Sequence, residues 1–191
     1  MEHAALSRTR AQARPAVPNE DQDAGDADSL MFPHEPGLPA LNTQARLALR
    51  HAQGEAWRGR QQCVDTDHLL LGLLCEPGSV GVAILNHLDV KGENIRRALG
   101  RVADTHEKVP APLRSAPPRE QHALPLTSRA RAALVLAGQE AHRFDKAAVG
   151  TDHLLLGLAL MGTGAAAVAL LREGATVDSI RAEVLKRCVR G

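Results

Sequence analysis

Apolar side chains recur every three or four residues in two segments of this 191-residue chain, and the two segments lie 85 positions apart. The first stripe comprises Ala45, Ala48, Leu49, Ala52 and Ala56, and the second comprises Ala130, Ala133, Leu134, Ala137 and Ala141. Because this spacing places side chains on one face of an α-helix, each segment is predicted to form an amphipathic helix. The small alanine side chains would let a neighbouring helix approach closely.

Each stripe is followed by three further predicted helices. The second helix, at residues 67–75 and again at 152–161, is apolar on nearly all sides, so we expect it in the centre of the domain. The third and fourth helices are predicted at residues 80–88 and 93–101 in the first copy, and at 165–172 and 178–187 in the second.

Polar residues predict where the first two helices of each copy begin. Asn42 and Thr127 precede the first helices, and Thr66 and Thr151 precede the second helices. Side chains of these types accept hydrogen bonds from the free backbone amides of a first helical turn. All four are therefore predicted to be N-caps.

The helical segments belong to an internal repeat. Residues 66–73, Thr-Asp-His-Leu-Leu-Leu-Gly-Leu, recur unchanged at 151–158, an offset of 85. Pairing residues 41–99 with 126–184 at this offset, without a gap, gives 21 identities in 59 positions. Such self-similarity defines the architecture before any single helix is considered. The predicted fold is all-α, a tandem repeat of two four-helix units of roughly 60 residues that pack as a pseudo-twofold pair.

Proline-rich segments mark the domain boundaries. The repeats are placed at 41–101 and 126–188, and residues 102–125 between them contain five prolines, which predicts a linker. Residues 1–40 contain five more prolines and an acidic cluster, and are predicted to be a disordered extension. We expect this extension to aid solubility. Alternatively, its net charge of −4 would make it a pseudo-ligand for the rest of the chain, which carries +5.

Composition and charge exclude several classes of function. Lys and Arg number 23 against 22 Asp and Glu, which gives no electrostatic case for binding nucleic acid or an anionic membrane. Aromatic residues make up only 2% of the chain, so recognition of stacked bases is not expected. Neither a signal peptide nor an apolar stretch of about 18 residues is present, so a cytoplasmic location is expected.

The three cysteines, Cys63, Cys75 and Cys188, form no C-x-x-C pair and are odd in number. This pattern argues against a disulfide framework and against a zinc site. Each cysteine is expected to be a small buried hydrophobic residue.

No recognisable catalytic motif is present, neither a P-loop nor a G-x-S-x-G turn. The pairs Asp67-His68 and Asp152-His153 are adjacent in a helix, so their side chains point about 100° apart and suit neither a shared metal nor acid–base chemistry. We expect packed histidines with satisfied nitrogens, and aspartates that interact with the helix dipole; a ligand contact by the aspartates stays open. The protein is therefore predicted not to be an enzyme and to need no metal or cofactor.

The duplicated helix starts favour a binding function instead. Free amides at a helix start attract anions, and the carboxylates of Asp67 and Asp152 can accept a guanidinium group. If two such starts meet in space, one locus offers both an anion site and a guanidinium acceptor.

The repeat, with its T-D-H-L-L-L-G-L block, closely resembles the duplicated N-terminal domain of Clp ATPases of the ClpC and ClpA type over about residues 41–188. In that family a start like F-T-x-R-A is followed by G-T-E-H-I-L-L-G-L. The resemblance implies two four-helix repeats that dock substrates and adaptors for an unfoldase. Family members carry ATPase modules after this domain, whereas the present chain ends at Gly191, so a free-standing N-domain is expected.

The resemblance also implies a ligand. In ClpC-like members from some bacteria this domain binds phosphorylated arginine, through the Glu of each G-T-E-H and the Thr of each F-T. The residues at these positions are Asp67 and Asp152 for the guanidinium, and Asn42 and Thr127 for the phosphate. Copy two keeps more of the pattern, so Thr127 and Asp152 are expected to contribute more than Asn42 and Asp67.

Further positions differ from the family pattern. Gly150 keeps the family glycine, whereas Asp65 replaces it in the first copy. Leu41 and Leu126 stand where the family has an aromatic residue before each Thr, on a surface that cyclic-peptide antibiotics exploit. The two leucines are predicted to offer an aliphatic recognition surface.

The main functional prediction is a non-enzymatic protein-binding module. It would engage a Clp ATPase, its adaptors or its substrate proteins, and modulate Clp-dependent proteolysis as an accessory factor, adaptor or decoy. The alternative is sequestration of peptide antibiotics, or other small ligands, that target the Clp N-domain. Neither nucleic acid nor a membrane is expected as a partner.

Overall fold

The computed structural model describes residues 37–103 and 123–188, which form eight α-helices. Copy one supplies α1 Thr43–Arg58, α2 Thr66–Leu73, α3 Val80–His87 and α4 Gly92–Ala103. Copy two supplies α5 Ser128–Arg143, α6 Thr151–Leu160, α7 Gly164–Arg172 and α8 Val177–Cys188. Within these ranges there is no β-strand, only two isolated β-bridges. The predicted all-α tandem repeat is confirmed.

The first helix of each copy begins where its polar cap predicts. The Asn42 side chain accepts a hydrogen bond from the amide of Ala45 at 2.8 Å. The Thr127 hydroxyl accepts one from the amide of Ala130 at 3.1 Å. Both caps are extended residues whose side chains turn back onto the first turn, so the sequence signal was sufficient to locate these two starts.

The second helix of each copy begins one residue earlier than predicted, so the assignment of Thr66 and Thr151 as N-caps is wrong. Both threonines lie inside their helices, and the caps are Asp65 and Gly150. The Asp65 carboxylate accepts from the Thr66 amide at 2.7 Å. The Thr151 hydroxyl is used elsewhere, since it accepts from the backbone amide of Gly81 in the other copy at 3.1 Å.

The first and second helices of each copy pack with their backbones almost in contact. A Cβ added to Gly72 on α2 would lie 2.6 Å from the backbone nitrogen of Ala52 on α1. In copy two, a Cβ on Gly157 would lie 2.8 Å from the nitrogen of Ala137. The alanine stripes thus allow close approach as predicted, and the same glycine–alanine contact is present in both copies.

The two copies share one core. The central helices α2 and α6 contact each other, α2 also packs on α7, and α6 also packs on α3. The fourth helices cross over in the same way, because α4 packs on α7 and α8 packs on α3. Leucines of both central helices, including Leu70 and Leu155, are fully buried in a single cluster. Neither four-helix unit therefore encloses a core of its own.

Two polypeptide segments outside the helices are held by pseudo-equivalent contacts. The Gln53 amide, buried on α1, donates to the carbonyl of Leu124 at 2.9 Å and accepts from its amide at 2.8 Å. At the corresponding place in copy two, Gly138 faces the Pro39 ring, and a Cβ on Gly138 would lie 2.8 Å from Pro39 Cβ. At equivalent places, the first helix of copy one thus holds the neighbouring segment by two hydrogen bonds, and that of copy two holds it by an apolar contact.

The described ranges overlap the predicted extension and linker at their edges. Residues 37–40, assigned to the extension, and 123–125, assigned to the linker, are described, and α4 runs to Ala103 rather than to residue 101. The remainder of these two predicted segments, residues 1–36 and 104–122, lies outside the described residues.

The cysteines differ from their prediction. Cys63 and Cys75 are free and only half-buried, so the expectation of buried hydrophobic residues is wrong for both; the Cys188 side chain lies outside the description. Cys75 has polar neighbours, because Arg96 Nη2 lies 3.6 Å from its sulfur. Burial, followed by the charges of Asp65 and Asp67, raises the pKa of the Cys63 thiol.

Within the described ranges, no single helix is long and apolar enough to cross a membrane, and α6 with α7 reaches that length and composition only as a pair bent by 95°.

Candidate functional site

The helix starts that hold the candidate residues meet across the two copies. The backbone amide of Asn42 donates to the carbonyl of Val149 at 2.9 Å, and the backbone amide of Val149 donates to the carbonyl of Ala40 at 2.8 Å. At the equivalent place, the Thr127 amide donates to the carbonyl of Val64 at 2.9 Å. These two parallel bridges set the start of α1 beside the start of α6, and the start of α5 beside the start of α2.

The first meeting point, here called the Asn42 locus, consists of Asn42, Gly150 and Asp152. A Cβ on Gly150 would lie 3.2 Å from Asn42 Nδ2 and would collide with a carboxylate oxygen of Asp152, so the three residues are in immediate proximity. The Asp152 side chain keeps 16% of its surface exposed. An amide donor, a carboxylate and the first turns of two helices therefore share this locus.

The second meeting point, the Thr127 locus, consists of Thr127, Arg129, Asp65 and Asp67. The Thr127 hydroxyl donates to Asp65 Oδ1 at 2.9 Å, and Arg129 Nη2 donates to Asp65 Oδ2 at 2.6 Å. The Asp67 side chain is 22% exposed, close to the value for its counterpart Asp152. Both oxygens of the Asp65 carboxylate are thus engaged by residues of the other copy.

These contacts change how the four candidate residues are grouped. The sequence comparison grouped them by copy, Asn42 with Asp67 and Thr127 with Asp152. The structure brings Asn42 to Asp152, and Thr127 to the α2 start that carries Asp67. The reason is the bridge pairing, which joins the segment before each first helix to the segment before the second helix of the other copy. Adjacency of the helix starts, left open by the sequence, is therefore found between copies.

The Asp-His pairs are arranged as helix caps. His68 Nδ1 accepts from the Asp65 amide at 3.1 Å, and His153 Nδ1 accepts from the Gly150 amide at 3.1 Å. An imidazole that accepts at Nδ1 carries its proton on Nε2 when it is neutral. The neighbouring aspartate oxygens also lie 3.1 Å from Nδ1, nearer than the predicted 100° divergence suggests. Burial alone would raise the pKa of Asp67 and Asp152, but the adjacent histidine and first-turn backbone amides lower it below its usual range.

Not every ring nitrogen of the two histidines has a hydrogen-bond partner. Both are buried, as expected, but His153 Nε2 has no hydrogen-bond partner and its ring lies beside Phe144, with ring centroids 5.9 Å apart. With Nδ1 committed to the helix start, neither imidazole presents a base to solvent. Among residues 37–103 and 123–188, no three His, Cys, Asp or Glu side chains come together as a metal site would require.

At the Thr127 locus, the negative charge of Asp65 is paired with the positive charge of Arg129. Partial burial alone would raise the pKa of Asp65, but the hydrogen bonds from Arg129, the Thr66 amide and the Thr127 hydroxyl, together with the Arg129 charge, lower it below its usual range. The same carboxylate raises the pKa of Arg129. Both groups are therefore charged at neutral pH, and the pair joins the two copies.

A comparison with protein families now identifies the architecture. The family described as the Clp repeat (R) N-terminal domain matches this sequence twice, at residues 40–123 and 125–190. The chain belongs to the Clp N-terminal domain family. The resemblance inferred from the duplicated T-D-H-L-L-L-G-L block is thereby confirmed.

Relatives with curated names carry the Clp N-domain within a longer protein. The chain is 32% identical over 146 residues to the ATP-dependent Clp protease ATP-binding subunit ClpC of Staphylococcus saprophyticus, and 29% identical over 150 residues to the ClpC subunit of Staphylococcus aureus. Each match covers 76% of this chain but 16% of the relative. The chain thus spans about a sixth of the length of these proteins.

Solved structures support the same fold for this Clp N-domain. The N-terminal domain of ClpD from Arabidopsis thaliana superposes with a TM-score of 0.60 at 22% identity, covering 79% of this chain and 95% of that one. The Hsp104 N-terminal domain from Candida albicans gives a TM-score of 0.57 at 18% identity, covering 80% and 92%.

The two leucines of the predicted recognition surface lie in the bridges of the Clp N-domain. Leu41 is half-buried and packs against the core, and Leu126 is only 8% exposed. The backbone of Leu41 forms a β-bridge with Val149, and that of Leu126 forms one with Val64. Most of the apolar surface of Leu126 is therefore already used inside the domain.

Sequence reasoning missed the part that Asp65 and Arg129 play. The sequence marks Asp65 only as a departure from the family glycine and gives Arg129 no role. A signal was present, because the corresponding residues of the other copy are Gly150 and Gln44, so both halves of the ion pair are missing there. A paired difference of this kind between the two repeats indicates a contact.

Proposed function

We propose that this chain is a non-catalytic protein-binding module of Clp-dependent proteolysis, acting as an accessory factor, adaptor or decoy. Its partners would be a Clp ATPase, the adaptors of that ATPase or its substrate proteins. The observation that carries the proposal is the match of both repeats to the Clp N-terminal domain, across 40–123 and 125–190. Neither histidine of the Asp-His pairs offers a free base, which supports binding rather than catalysis.

The Asn42 locus is the proposed point of ligand contact. First-turn amides of α1 and the Asn42 side chain would receive an anionic group, since helix starts attract anions. The Asp152 carboxylate, partly exposed beside them, would accept a guanidinium group. Phosphorylated arginine combines these two groups, so a protein segment carrying it is the proposed ligand class.

The proposal is tested by reconstitution with a purified ClpC-type subunit and its protease. Addition of this chain should change the degradation rate of a fluorescent substrate, and the immobilised chain should retain the ClpC subunit or an arginine-phosphorylated substrate. The variant Asn42→Ala with Asp152→Ala should lose retention of the phosphorylated substrate. An unchanged rate, with neither protein retained, would contradict the proposal.

A matched variant addresses the location of the site. Gln62→Ala with Asp178→Ala also removes one amide and one carboxylate, from exposed positions on α8 and the loop after α1. This variant should retain the substrate as the unsubstituted chain does. Equal losses in both double variants would assign the retention to overall charge rather than to the Asn42 locus.

Sequestration of peptide antibiotics is the alternative proposal. It depends on apolar surface at Leu41 and Leu126, of which Leu126 offers little. Calorimetric titration with a cyclic peptide directed at ClpC tests it, and the absence of heat at micromolar peptide would reject it.

A further inference from the structure

We propose that the chain's own residues 33–36 dock along α5, on the face formed by Arg131, Val135 and Gly138, as an extended proline-rich segment in which Glu35 pairs with Arg131. These residues precede the part of the chain that the structure describes. The inference goes beyond the proposed function, because it gives this face of the domain an occupant from within the chain. Part of the N-terminal extension would then be a ligand of the domain rather than an aid to solubility.

The path of the described segment before α1 leads along α5. Leu41 is bridged to Val149, in the loop after the C-terminal end of α5, whereas Pro39 lies against Gly138, inside that helix. Going upstream by two residues, the chain has therefore moved from the C-terminal end of α5 toward its N-terminal half. Continued in the same direction, residues 33–36 pass over that half of the helix.

The face of α5 along this path carries an exposed apolar side chain. Val135 and Arg131 lie three and seven residues before Gly138, so all three residues are on one side of the helix. Val135 keeps 37% of its surface exposed. Pro39 already contacts this side at Gly138, and Leu38 packs against the core. An apolar segment continuing from Pro39 would cover Val135.

The spacing of the prolines suits such a contact. Pro33, Pro36 and Pro39 recur at every third residue. Proline favours the polyproline II conformation, which has three residues per turn, so the three rings share one side of the segment. Because the Pro39 ring faces α5 at Gly138, the rings of Pro36 and Pro33 face α5 as well.

The lengths of the two elements also agree. At about 3.1 Å per residue, Pro36 lies about 9 Å before Pro39 along the extended segment. At about 1.5 Å per residue, Val135 and Arg131 lie about 4.5 Å and 10.5 Å before Gly138 along α5. Pro36 therefore falls between Val135 and Arg131.

Charge fixes the position of the segment. Glu35 is four residues before Pro39, about 12 Å along the segment, and so is level with Arg131. A carboxylate and a guanidinium at this place can form an ion pair. Both residues recur at the repeat offset of 85, Glu35 as Glu120 and Arg131 as Arg46. The two members of the proposed pair are thus present in both copies.

A paired difference between the copies supports the apolar part of the contact. Val135 corresponds to Arg50 on α1, and Pro36, placed beside Val135, corresponds to Gln121. An apolar pair in one copy therefore stands against a polar pair in the other. Such a joint change is expected of two positions that touch.

NMR spectroscopy of the full chain tests the docking. The heteronuclear NOE of the Glu35 amide should match that of Ala40, and the ring protons of Pro36 should show NOEs to the Val135 methyl groups. The amide shifts of His34 and Glu35 should differ from those of a synthetic peptide that comprises residues 28–40.

Val135→Asn should abolish these NOEs and move the His34 and Glu35 amides to their positions in the peptide. Val168→Asn, on α7, is the matched control, because Val168 is exposed to nearly the same degree, 39% against 37%. This control should leave both amides unchanged.

Glu35→Lys tests the ion pair without altering α5. In urea unfolding it should lower the folding equilibrium constant about two- to fivefold, as expected for loss of a surface ion pair. Glu20→Lys, in the same extension, should have no such effect. In an Arg131→Gln background, Glu35→Lys should make little difference.

Three results would overturn the inference. The His34 and Glu35 amides of the full chain could coincide with those of the peptide, or Val135→Asn and Val168→Asn could change them equally. Alternatively, the effect of Glu35→Lys could persist undiminished in the Arg131→Gln background. None of these results bears on whether the chain retains a Clp subunit or substrate, so the proposed function is tested separately.

Discussion

Gly72 on α2 and Ala52 on α1 are so close that a Cβ on the glycine would lie 2.6 Å from the alanine nitrogen. The same relationship recurs between Gly157 and Ala137 in copy two. Backbone atoms at this distance cannot move aside as a flexible side chain can, so the packing of the first helix on the central helix depends on the absence of a side chain at these two positions.

Gly72→Ala should destabilise the protein by about 1–3 kcal/mol or more, because overpacking forces the two helix backbones apart. Urea unfolding followed by the fluorescence of the single tryptophan, Trp57 on α1, measures the change. Gly100→Ala on α4 is the matched control, since nothing lies within 4 Å of a Cβ there. Its higher helix propensity should stabilise by about 0.5–1 kcal/mol. Equal effects of the two substitutions would contradict the close-approach account.

The Asp65–Arg129 ion pair should make stability depend on acid. Because the pKa of Asp65 is lowered in the folded state, its stabilisation is fully present above the unfolded value near pH 4 and is lost as the pH falls through the folded value. Asp65→Asn should therefore lower stability at pH 7, by no more than about 1 kcal/mol given the exposure of Arg129, and should have a smaller effect at pH 2.

The matched variant for the ion pair is Arg129→Gln, which installs the residue found at the corresponding position, Gln44. In this background Asp65→Asn should have a smaller effect at pH 7 than in the unsubstituted chain. Thermal unfolding of the four chains at pH 2 and pH 7 gives the coupling. A penalty for Asp65→Asn that is independent of both pH and Arg129 would refute an electrostatic role.

Gln53→Ala should weaken the attachment of the segment before α5 to α1. The Gln53 amide makes two hydrogen bonds to the backbone of Leu124, and its loss leaves both backbone groups without these partners, at a cost of about 1–2 kcal/mol. Hydrogen exchange at the Leu124 amide should accelerate. Gln139→Ala, at an exposed position of α5, should change neither the stability nor the exchange rate at Leu124. Slow exchange at Leu124 in both variants would contradict a role for the Gln53 hydrogen bonds.

Glu140→Gln should weaken the attachment of α8 to α5. Glu140 is 3% exposed, and its Oε1 atom receives Arg143 Nη1 at 2.7 Å and Arg181 Nη2 at 3.3 Å. Loss of the Glu140 charge should lower the free energy of unfolding by about 1–2 kcal/mol. The loss should not be larger, because both arginines keep access to water.

Its counterpart Glu55 provides the matched control. Glu55 is paired with Arg58 on the same helix and has more exposure than Glu140. Glu55→Gln should change the free energy of unfolding by about 0.5 kcal/mol or less. Urea unfolding of both variants distinguishes the cases, and a larger loss for Glu55→Gln would show that burial between helices is not what makes Glu140 important.

Local signals predicted most of the fold. The apolar spacing placed α1 and α5, and the side chains of Asn42 and Thr127 located their starts, because capping involves atoms only three residues apart. The second helices begin one residue earlier than predicted. Asp65 caps α2, and Thr151, a good cap by type, instead accepts a hydrogen bond from the Gly81 amide of the other copy. Gly81 and Thr151 are 70 residues apart, so this competing hydrogen bond is not visible in the local sequence.

The sequence by itself determined the number of helices in each copy, the repeat that relates them and the family to which they belong, because periodicity and repetition are properties of the chain alone. Only the tertiary structure decided that Asn42 faces Asp152 while Thr127 faces Asp65. Those pairings follow from two backbone bridges between residues far apart in the chain. The same crossing places Asp65 against Thr127 and Arg129, a contact that Gly150 cannot make at the corresponding place.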